Sequence, residues 1–403
     1  MAEERIIVGG GAAGMMAAIT AANLGKKVTL IERNEKMGRK IGITGKGRCN
    51  VTNDCDAEEF FLNVAVNPKF LYSAFYTFTN DDTKNFFEEL GVKLKVERGK
   101  RVFPESDRAG DIVMALVKEV RRLGVRVVQD RAQEILIDDG KAIGVKCEKS
   151  AYYGEAVLIA TGGASYRRTG STGDGYVMAQ NAGHTIVPLK PCLIPIVSEG
   201  TGELSGLSLK NVSLTVLDGK GKTRYTDFGE MLFTHFGISG PIVLSASGHM
   251  RKTDDYTLLL DLKPALDEKT LDARLLRDFE KYKNRDLINS LSDLLPHKLI
   301  THVIERSGVD ERKKINSITR EERERLISAI KRFEIKPLGF RPIEEAIVTG
   351  GGVDVREIDP STMESKLIKN LFFAGEVIDV DAYTGGFNLQ IAFSTGHLAG
   401  MNM

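Results

Sequence analysis

A glycine turn close to the start of the chain constrains the fold more than any other segment. A short apolar run is followed by three glycines in the spacing GxGxxG, namely Gly9, Gly11 and Gly14. Such glycines permit a tight turn, the approach of a pyrophosphate and close packing of the next helix on the strand. A helix is predicted over residues 12–24 and a strand over 28–31, and Glu32 then stands where a carboxylate accepts ribose hydroxyls. The segment predicts a strand–helix–strand unit that binds an adenine dinucleotide, either FAD or NAD.

The composition is that of an ordinary folded protein with no strong preference for charged partners. The 403 residues are 42% hydrophobic and 28% charged, with a net charge of +1, so two or three domains are expected and no field favours nucleic acid or an anionic membrane. No apolar run reaches the roughly 18 residues that span a bilayer. The first strand begins at Arg5, which leaves no room for a signal peptide. We therefore predict a cytoplasmic protein without nucleic-acid or membrane partners, and the oligomeric state stays open.

The cysteines and histidines do not form a ligand pattern. The cysteines contain no CxxC pair and the six histidines contain no HxxxH or HExxH. We therefore predict neither a metal site nor a disulfide framework.

Residues 33–53 form a polar, glycine-rich segment directly after Glu32, in which Lys40 and Arg48 bring positive charge. The segment is long for a simple connector. The alternatives are a surface loop and a loop that wraps around the cofactor. We favour the second because the segment follows the ribose-binding carboxylate.

Between residues 57 and 187, helical and strand patterns lead to a second turn of small residues. We predict helices over 57–91, 111–123 and 176–182, strands near 91–96, 101–104 and 125–128, and a hairpin about 138–140. A buried strand over 156–159 ends in Ala-Thr-Gly-Gly, where Thr161 and Gly162 let a cofactor lie against the backbone. Tyr166 and Arg167 follow, and they either bind an anionic group of a substrate or face solvent.

Residues 188–340 interrupt this pattern. Pro188, Pro191 and Pro195 indicate a linker, after which short alternating segments predict a small antiparallel sheet or barrel. Residues 265–335 are helical and charge-rich, and solvated helix faces explain their mixed charges better than a nucleic-acid site does. The predicted domains are 1–187 and 341–403 for the two parts of the nucleotide-binding domain, with inserted subdomains at 188–264 and 265–340.

The last 60 residues return to the character of the first, which favours FAD over NAD. A glycine turn at 349–352 and a buried strand ending at Gly375 and Glu376 precede Asp379, and Gly385 and Gly386 open a final helix. Asp379 is expected at the ribityl chain or a phosphate, and the helix N-terminus at the flavin pyrimidine edge. The alternative is a C-terminal packing helix. No second dinucleotide turn is present, so NAD(P)H, if it is the reductant, binds transiently or in the substrate cleft.

Five motifs together resemble a bacterial and archaeal flavoprotein family that includes aminoacetone oxidase and the bile-acid-inducible reductase of dehydro-bile acids. The motifs span essentially the whole chain and lie at 44–53, 160–165, 232–241, 348–353 and 375–390. The resemblance implies an α/β fold: a Rossmann-like FAD-binding domain of the glutathione-reductase and fumarate-reductase type, interrupted by an inserted β-barrel-like and helical domain. Lys46 departs from the small residue that many relatives carry there.

The turn, its neighbours and the resemblance together give the predicted contacts with FAD. In chain order they are Gly9, Gly11, Ala13, Gly14, Glu32, Arg33, Lys40, Gly45, Arg48, Cys49, Asn50, Ala132 (through its backbone, to the adenine), Thr161, Gly162, Gly375, Glu376, Asp379, Gly385, Gly386, Asn388 and Leu389.

Two side chains are candidates for catalysis. His235 lies between a predicted strand and a turn, where it either exchanges a proton with a substrate or bonds the turn at Ser239. Tyr383 either closes over the flavin or packs. Cys49 has no resolving cysteine nearby, which argues against a disulfide mechanism.

The interpretation that we favour is an FAD-dependent oxidoreductase that takes hydride from NAD(P)H and reduces an activated C=C bond of a small molecule. The alternatives are an oxidase of a small amine or amino-ketone and, in a different class, a flavin-binding redox sensor or interaction protein.

Overall fold

The computed structural model describes residues 4–250 and 253–403, which form two compact units. The first runs to Cys192 and resumes over Pro342–Met403; we call it the split unit. The second comprises Leu193–Arg341; we call it the inserted unit. Each unit has its own hydrophobic core.

The strands of the split unit form four sheets. They are β1 (Glu4–Val8), β2 (Lys27–Glu32), β3 (Thr52–Asn53), β4 (Leu94–Glu97), β5 (Arg101–Pro104), β6 (Arg126–Gln129), β7 (Ala132–Asp138), β8 (Lys141–Cys147), β9 (Ala151–Tyr153), β10 (Ala156–Ile159), β11 (Ile186–Cys192), β19 (Val348–Val353) and β20 (Leu371–Phe373). The central sheet is parallel, in the order β20-β10-β1-β2-β6. Smaller antiparallel sheets are β3-β5-β4, β7-β8-β9 and β11-β19.

The helices of the split unit lie mostly between these strands in the chain. They are α1 (Ala12–Asn23), α2 (Arg39–Gly47), α3 (Ala57–Leu62), α4 (Tyr72–Thr77), α5 (Asn80–Glu89), α6 (Ala109–Arg122), α7 (Asp174–Asn181) and α12 (Phe387–Asn402).

The inserted unit combines an antiparallel sheet with helices. Its strands are β12 (Ile196–Ser198), β13 (Ser208–Asp218), β14 (Thr223–Thr234), β15 (Gly237–Ser239), β16 (Tyr256–Asp261), β17 (Phe333–Ile335) and β18 (Pro337–Phe340). Its helices are α8 (Pro241–Ser247), α9 (Glu268–Tyr282), α10 (His297–Ser307) and α11 (Arg320–Lys331). Residues of the sheet and of the helices share one core. The finer division of the insert at residue 264 stays a prediction.

The parallel register brings the chemically interesting ends of the central strands to one edge. Val8 lies opposite Ile159 on one side and opposite Ile31 on the other. Because parallel strands end at the same edge of a sheet, Gly9, Glu32 and Ala160 follow these positions together.

Helix α12 lies directly on helix α1, and two glycines make this possible. A Cβ on Gly396 would overlap the backbone of Ala13, and a Cβ on Gly400 would lie 2.5 Å from the carbonyl oxygen of Ala17. Small residues at a helix interface let the two backbones approach closely, whereas a larger residue forces them apart. The first and last helices of the chain are thus held against each other.

Three segments differ from the sequence predictions. Residues 33–53 contain helix α2, interrupted by non-helical backbone at Thr44–Lys46, rather than a continuous loop. The predicted helix over 57–91 is broken into α3, a 3₁₀ turn at Pro68–Leu71, α4 and α5, because Asn67 is left-handed and Pro68 follows it. The predicted linker is strand β11, which pairs with β19 although it contains Pro188 and Pro191.

A buried histidine holds three segments of the split unit together. The His184 ring is 3% exposed; its Nδ1 lies 3.2 Å from a carboxylate oxygen of Glu357, and its Nε2 lies 3.0 Å from the hydroxyl of Ser365. Burial lowers the pKa of His184, against the opposing effect of Glu357.

We expect replacement of Gly396 by alanine to destabilise the protein by about 2 kcal/mol, because the added methyl group meets backbone that cannot move aside. The matched control is Gly110→Ala. Gly110 also lies in a helix, but a Cβ there meets no atom within 4 Å, so this change should be neutral or stabilising. Denaturant unfolding of both variants is the measurement, and equal stabilities would contradict the packing argument.

We expect the stability of the protein to fall as the pH drops below about 6.5, the ordinary pKa of histidine. A histidine whose pKa is lowered by folding must take up a proton on unfolding, so its contribution is present above that pH and is lost in acid. Between pH 7 and 5 the free energy of unfolding of the wild type should decrease more than that of His184→Gln. Parallel pH dependences of the two proteins would argue against this assignment.

Candidate functional site

The glycine turn after β1 combines close packing with open backbone. A Cβ on Gly9, whose φ is +107°, would overlap the carbonyl of Ala160, and a Cβ on Gly14 would overlap the carbonyl of Gly9. A Cβ on Gly11, by contrast, would meet no atom within 4 Å. Two of the glycines are therefore required by the protein itself, whereas Gly11 leaves room at the N-terminus of α1, where backbone N–H groups attract a phosphate.

Glu32 is fixed by hydrogen bonds on both carboxylate oxygens. One oxygen accepts the N–H of Gly10 at 2.8 Å, and the other accepts the backbone and side-chain N–H groups of Asn34, both at 2.7 Å. The side chain is 8% exposed, so its remaining lone pairs have a defined direction. The N–H of Asp130 donates to the carbonyl of Glu32 at 3.1 Å. Ala132 follows Asp130 by two residues, so it lies near the same strand end.

The side chain of Arg33 is bound by residues just before and at the start of helix α7. Its guanidinium donates to Thr172 at 2.5 Å and to Asp174 at 3.1 Å. Asp174 also accepts from Arg131 at 2.9 Å. The side chain of Arg33 is thus committed within the protein, and its contact with FAD stays a prediction.

Lys40 and Glu376 form the centre of a network that joins four segments. The Lys40 ammonium lies 2.6 Å from a carboxylate oxygen of Glu376 and 2.9 Å from the hydroxyl of Ser165. Glu376 accepts the N–H of Thr349 at 2.9 Å, and the Thr349 hydroxyl accepts the N–H of Ala164 at 2.8 Å. Helix α2, the turn after β10, strand β19 and the turn after β20, where Gly375 lies, therefore meet here.

Three polar atoms in the motifs that are expected to contact FAD are buried without a hydrogen-bond partner in the described structure. They are Oγ1 of Thr161 and the side-chain carbonyl oxygens of Asn50 and Asn53. Leaving a buried polar atom unsatisfied costs about 1–3 kcal/mol. Together with the open backbone at Gly11, these atoms fit a large polar ligand such as FAD, and Gly162 directly follows Thr161.

The first and last motifs of the chain meet at the N-terminus of α12. Gly386 has a φ of +104°, and a Cβ there would overlap the carbonyl of Thr52. The carbonyl of Gly385 accepts the side-chain N–H of Asn53 at 3.0 Å, and the Thr52 hydroxyl donates to Gln390 at 2.7 Å. The sixteen-residue helix α12 therefore begins in a fixed place, with its unpaired N–H groups at this junction.

The side-chain amide of Asn388 forms hydrogen bonds with the backbone of the loop before α12. Its side-chain oxygen accepts the N–H of Ala382 at 3.0 Å, and its side-chain nitrogen donates to the carbonyl of the same residue at 2.7 Å. The amide thus clamps the loop before α12. The predicted FAD contacts of Asn388 and its neighbour Leu389 stay predictions.

Two residues of the 44–53 motif are engaged elsewhere. The guanidinium of Arg48 bonds Glu97 and Asp107 and lies 4.2 Å above the ring of Phe103. Cys49 is fully buried, and burial raises the pKa of its thiol to about 12, so it is not a ready nucleophile. A Cβ on Gly45 would lie 2.9 Å from the N–H nitrogen of Asn50, which explains the glycine as a packing requirement.

The segment from Asp379 to Tyr383 is largely buried. Asp379 accepts the side-chain N–H of Asn67 on its carboxylate at 3.2 Å and on its carbonyl at 2.7 Å. Burial raises the pKa of Asp379 and of the half-buried Tyr383. The N–H of Tyr383 bonds the carbonyl of Asn63 at 2.9 Å, which fixes the backbone at this predicted catalytic residue.

His235 belongs to the inserted unit and not to the segments described above. It is exposed in the turn between β14 and β15, and its ring lies 5.0 Å from that of Phe236 at an angle of 81°. Its role in catalysis stays a prediction. Tyr166 and Arg167 lie in the split unit, where Arg167 is 3.4 Å from the carboxylate of Glu344.

Sequence reasoning passed over several residues that build the site. Ser165 and Thr349 lay inside recognised motifs but received no role, and neither did Thr52, Asn53 and Gln390. Their signal was a short polar side chain within a glycine-rich motif, which the motif alone does not assign to a partner. Within residues 4–250 and 253–403, no group of three or more His, Cys, Asp and Glu side chains is placed to hold a metal ion, and no helix is long and apolar enough to cross a membrane.

The parallel sheet, its glycine turn and the returning helix α12 define a Rossmann-type FAD-binding domain, the domain of flavoprotein oxidoreductases. The chain belongs to the family described as the HI0933-like protein Rossmann domain, whose model matches residues 3–402. The predicted fold class and the predicted resemblance are both confirmed.

Several relatives match over nearly their whole length. The chain is 30% identical to a 3-dehydro-bile acid Δ(4,6)-reductase of Clostridium scindens over 98% of this chain and 97% of the relative. It is 32% identical to a ribosomal RNA dihydrouridine synthase of Haemophilus influenzae, over 99% and 98%. The solved structure of 3-ketosteroid Δ1-dehydrogenase from Sterolibacterium denitrificans has a TM-score of 0.53 at 11% identity, covering 99% of this chain and 98% of that one. This last similarity shows the fold alone.

We expect Gly11→Val to weaken FAD binding while leaving the fold intact. Gly11 has an extended backbone with φ of −87°, and a side chain there meets no protein atom, but it would fill the space for a pyrophosphate. The affinity for FAD should fall by about 10- to 100-fold, equivalent to about 1.4–2.8 kcal/mol. Flavin fluorescence on titration with FAD, together with circular dichroism, is the measurement.

The matched control is Gly14→Val, where the side chain overlaps the carbonyl of Gly9 and should disrupt folding itself. If the Gly11 variant bound FAD as tightly as the wild type, the cofactor would not pass over this turn.

Proposed function

We propose that this protein is an FAD-dependent reductase that saturates a carbon–carbon double bond conjugated to a carbonyl group. The observation that carries the proposal is the type of reaction for which two of its full-length relatives are named. One is named for the double bonds of a 3-dehydro bile acid, and the other for dihydrouridine, which is uridine with the double bond of its ring saturated. The substrates differ greatly in size and charge, whereas the bond and its adjacent carbonyl are alike.

The split unit supplies the residues that would hold the cofactor. Gly11 and the N-terminus of α1 suit the pyrophosphate, and Glu32 suits the adenosine ribose. Glu376 and Asp379 are the residues that we expect at the ribityl chain, and the N-terminus of α12 suits the electron-rich edge of the flavin ring. Bound FAD supplies the hydride chemistry, and the chain supplies position, charge and a proton.

The reductant that we propose is NAD(P)H. The sequence contains no second strand–GxGxxG–helix unit, so a nicotinamide cofactor would bind for the duration of one hydride transfer and leave. Both a steroid and an RNA uridine stay candidate substrates, because the identities to the two relatives, 30% and 32%, are too similar to favour one of them.

The experiment begins with the spectrum of the purified protein. A yellow protein that NADH or NADPH bleaches under nitrogen, and that regains its colour on addition of the correct enone, supports the proposal. The two substrates to compare are a 3-oxo-Δ4,6-steroid and ribosomal RNA containing uridine, and the product must gain two hydrogen atoms by mass spectrometry.

Three other outcomes would contradict the proposal in different ways. Bleaching by a small amine with peroxide formed in air indicates an oxidase. Bound flavin that is inert to nicotinamide, amine and enone indicates a redox sensor. A colourless protein that does not bind added FAD contradicts the cofactor as well. The Gly11→Val variant is the matched control, since it should fold but lose flavin-dependent activity when FAD is limiting.

A further inference from the structure

A carboxylic acid lies buried in the loop that leads into α12. Asp381 is 5% exposed, and the hydrogen-bond partner of its side chain in the described structure is the thiol of Cys192, with Sγ 3.9 Å from Oδ2. Its carbonyl accepts the N–H groups of Ala65 at 2.9 Å and Val66 at 3.2 Å, which fixes the backbone. A thiol is a weak donor, so this carboxyl group lacks the strong partners that buried carboxylates ordinarily have.

In the chain, Asp381 stands between the two groups of residues that are expected to hold the flavin. Glu376 and Asp379 precede it in the chain, and Gly385 and Gly386 follow it. The Lys190 side chain, from strand β11, and the carboxylate of Asp381, from the loop before α12, both approach Gly350: a Cβ on Gly350 would lie 2.9 Å from Cε of Lys190 and 3.1 Å from Oδ2 of Asp381. Because Lys190 is exposed, this cluster is not sealed from solvent.

The surroundings favour the protonated form of this acid. Burial raises the pKa of Asp381 to about 6; Lys190 opposes the rise, while Asp379 and Glu376 add to it. Burial likewise raises the pKa of Cys192, to about 12, so the thiol keeps its own proton. Asp354 gives the contrast within the same unit. It is equally buried, at 4% exposed, but Arg356 pairs with it and lowers its pKa.

We propose that Asp381 donates the proton that completes reduction of the substrate double bond. This inference rests on the proposed function, in which the double bond gains a hydride and a proton. NAD(P)H is oxidised and provides the hydride, which the carbon β to the carbonyl receives. The O–H bond of Asp381 breaks as a C–H bond forms at the α carbon, and water returns a proton to the carboxylate. Lys190 faces the resulting anion and stabilises it until then.

The first test measures the proton on Asp381 without any catalysis. The infrared C=O band of a protonated carboxylic acid should be present in the FAD-loaded wild type at pH 5, titrate away near pH 6 and be missing from Asp381→Asn. Asp354→Asn is the matched control and should retain the band. A wild-type spectrum in which no such band titrates between pH 5 and 7 would overturn the proposal.

The second test separates the two halves of the reaction. Asp381→Asn should be bleached by NAD(P)H at the wild-type rate, while recolouring by the enone should slow by about 100-fold or more, the usual contribution of a general acid. The wild-type recolouring rate should fall as the pH rises above 6, and the variant should lose this dependence. Asp381→Glu should recover part of the rate, and Asp354→Asn should behave as the wild type.

The outcomes distinguish the inference from the function on which it rests. If the wild type reduces the enone and Asp381→Asn does so at the same rate and with the same pH profile, the proton comes from another group and the inference is wrong. If the wild type reduces no conjugated double bond, the proposed function itself fails, and Asp381 has no such role.

Discussion

Close backbone contact between the two ends of the chain is the constraint on which the split unit depends. Helix α12 packs on α1 because Gly396 and Gly400 place no side chain between the two helices, and its N-terminus lies beside Thr52 because Gly386 places none there. These contacts join segments more than 330 residues apart in the chain. The N-terminus of α12 then lies beside the motif at 44–53, and this gives a site assembled from both ends. A long insertion is tolerated between them because the entropic cost of closing a loop rises only slowly with its length.

Hydrogen bonds and ion pairs hold the segments that the glycines bring close together. Lys40, Glu376 and Thr349 connect a helix, a strand and two turns, so each strand end is held by its neighbours as well as by the sheet. Glu32 is held in the same manner by Gly10 and Asn34. The pattern gives carboxylates of different character within one unit. Asp354 is paired with arginine, whereas Asp381 is buried beside a thiol, and proximity to strong donors decides which one keeps its charge.

The sequence predicted the dinucleotide turn, the interruption and the return of the chain, since these depend on local glycine spacing and on strand patterns. It predicted the local structure of several connecting segments wrongly. The segment after Glu32 forms a kinked helix, Pro68 divides the following helical region, and Pro188 and Pro191 lie in a strand. The errors differ in cause: the break at Pro68 is local, because proline follows a left-handed residue there, whereas in β11 a partner distant in the chain overrides local preference. Strand β11 exists because β19 lies beside it, and no pattern within residues 186–192 reveals that partner.

The sequence by itself determined the class of fold and the side chains available for chemistry, because spacing within a few residues decides whether a turn can approach a phosphate. Only the tertiary structure decided what those side chains do. It committed Arg48 to Glu97 and Asp107 and used Asn388 to clamp a loop. It also buried Asp381 beside Cys192, 189 residues away in the chain. The physical reason is that the partners and burial of a polar group, which set its charge and its freedom, come from contacts that local sequence does not encode.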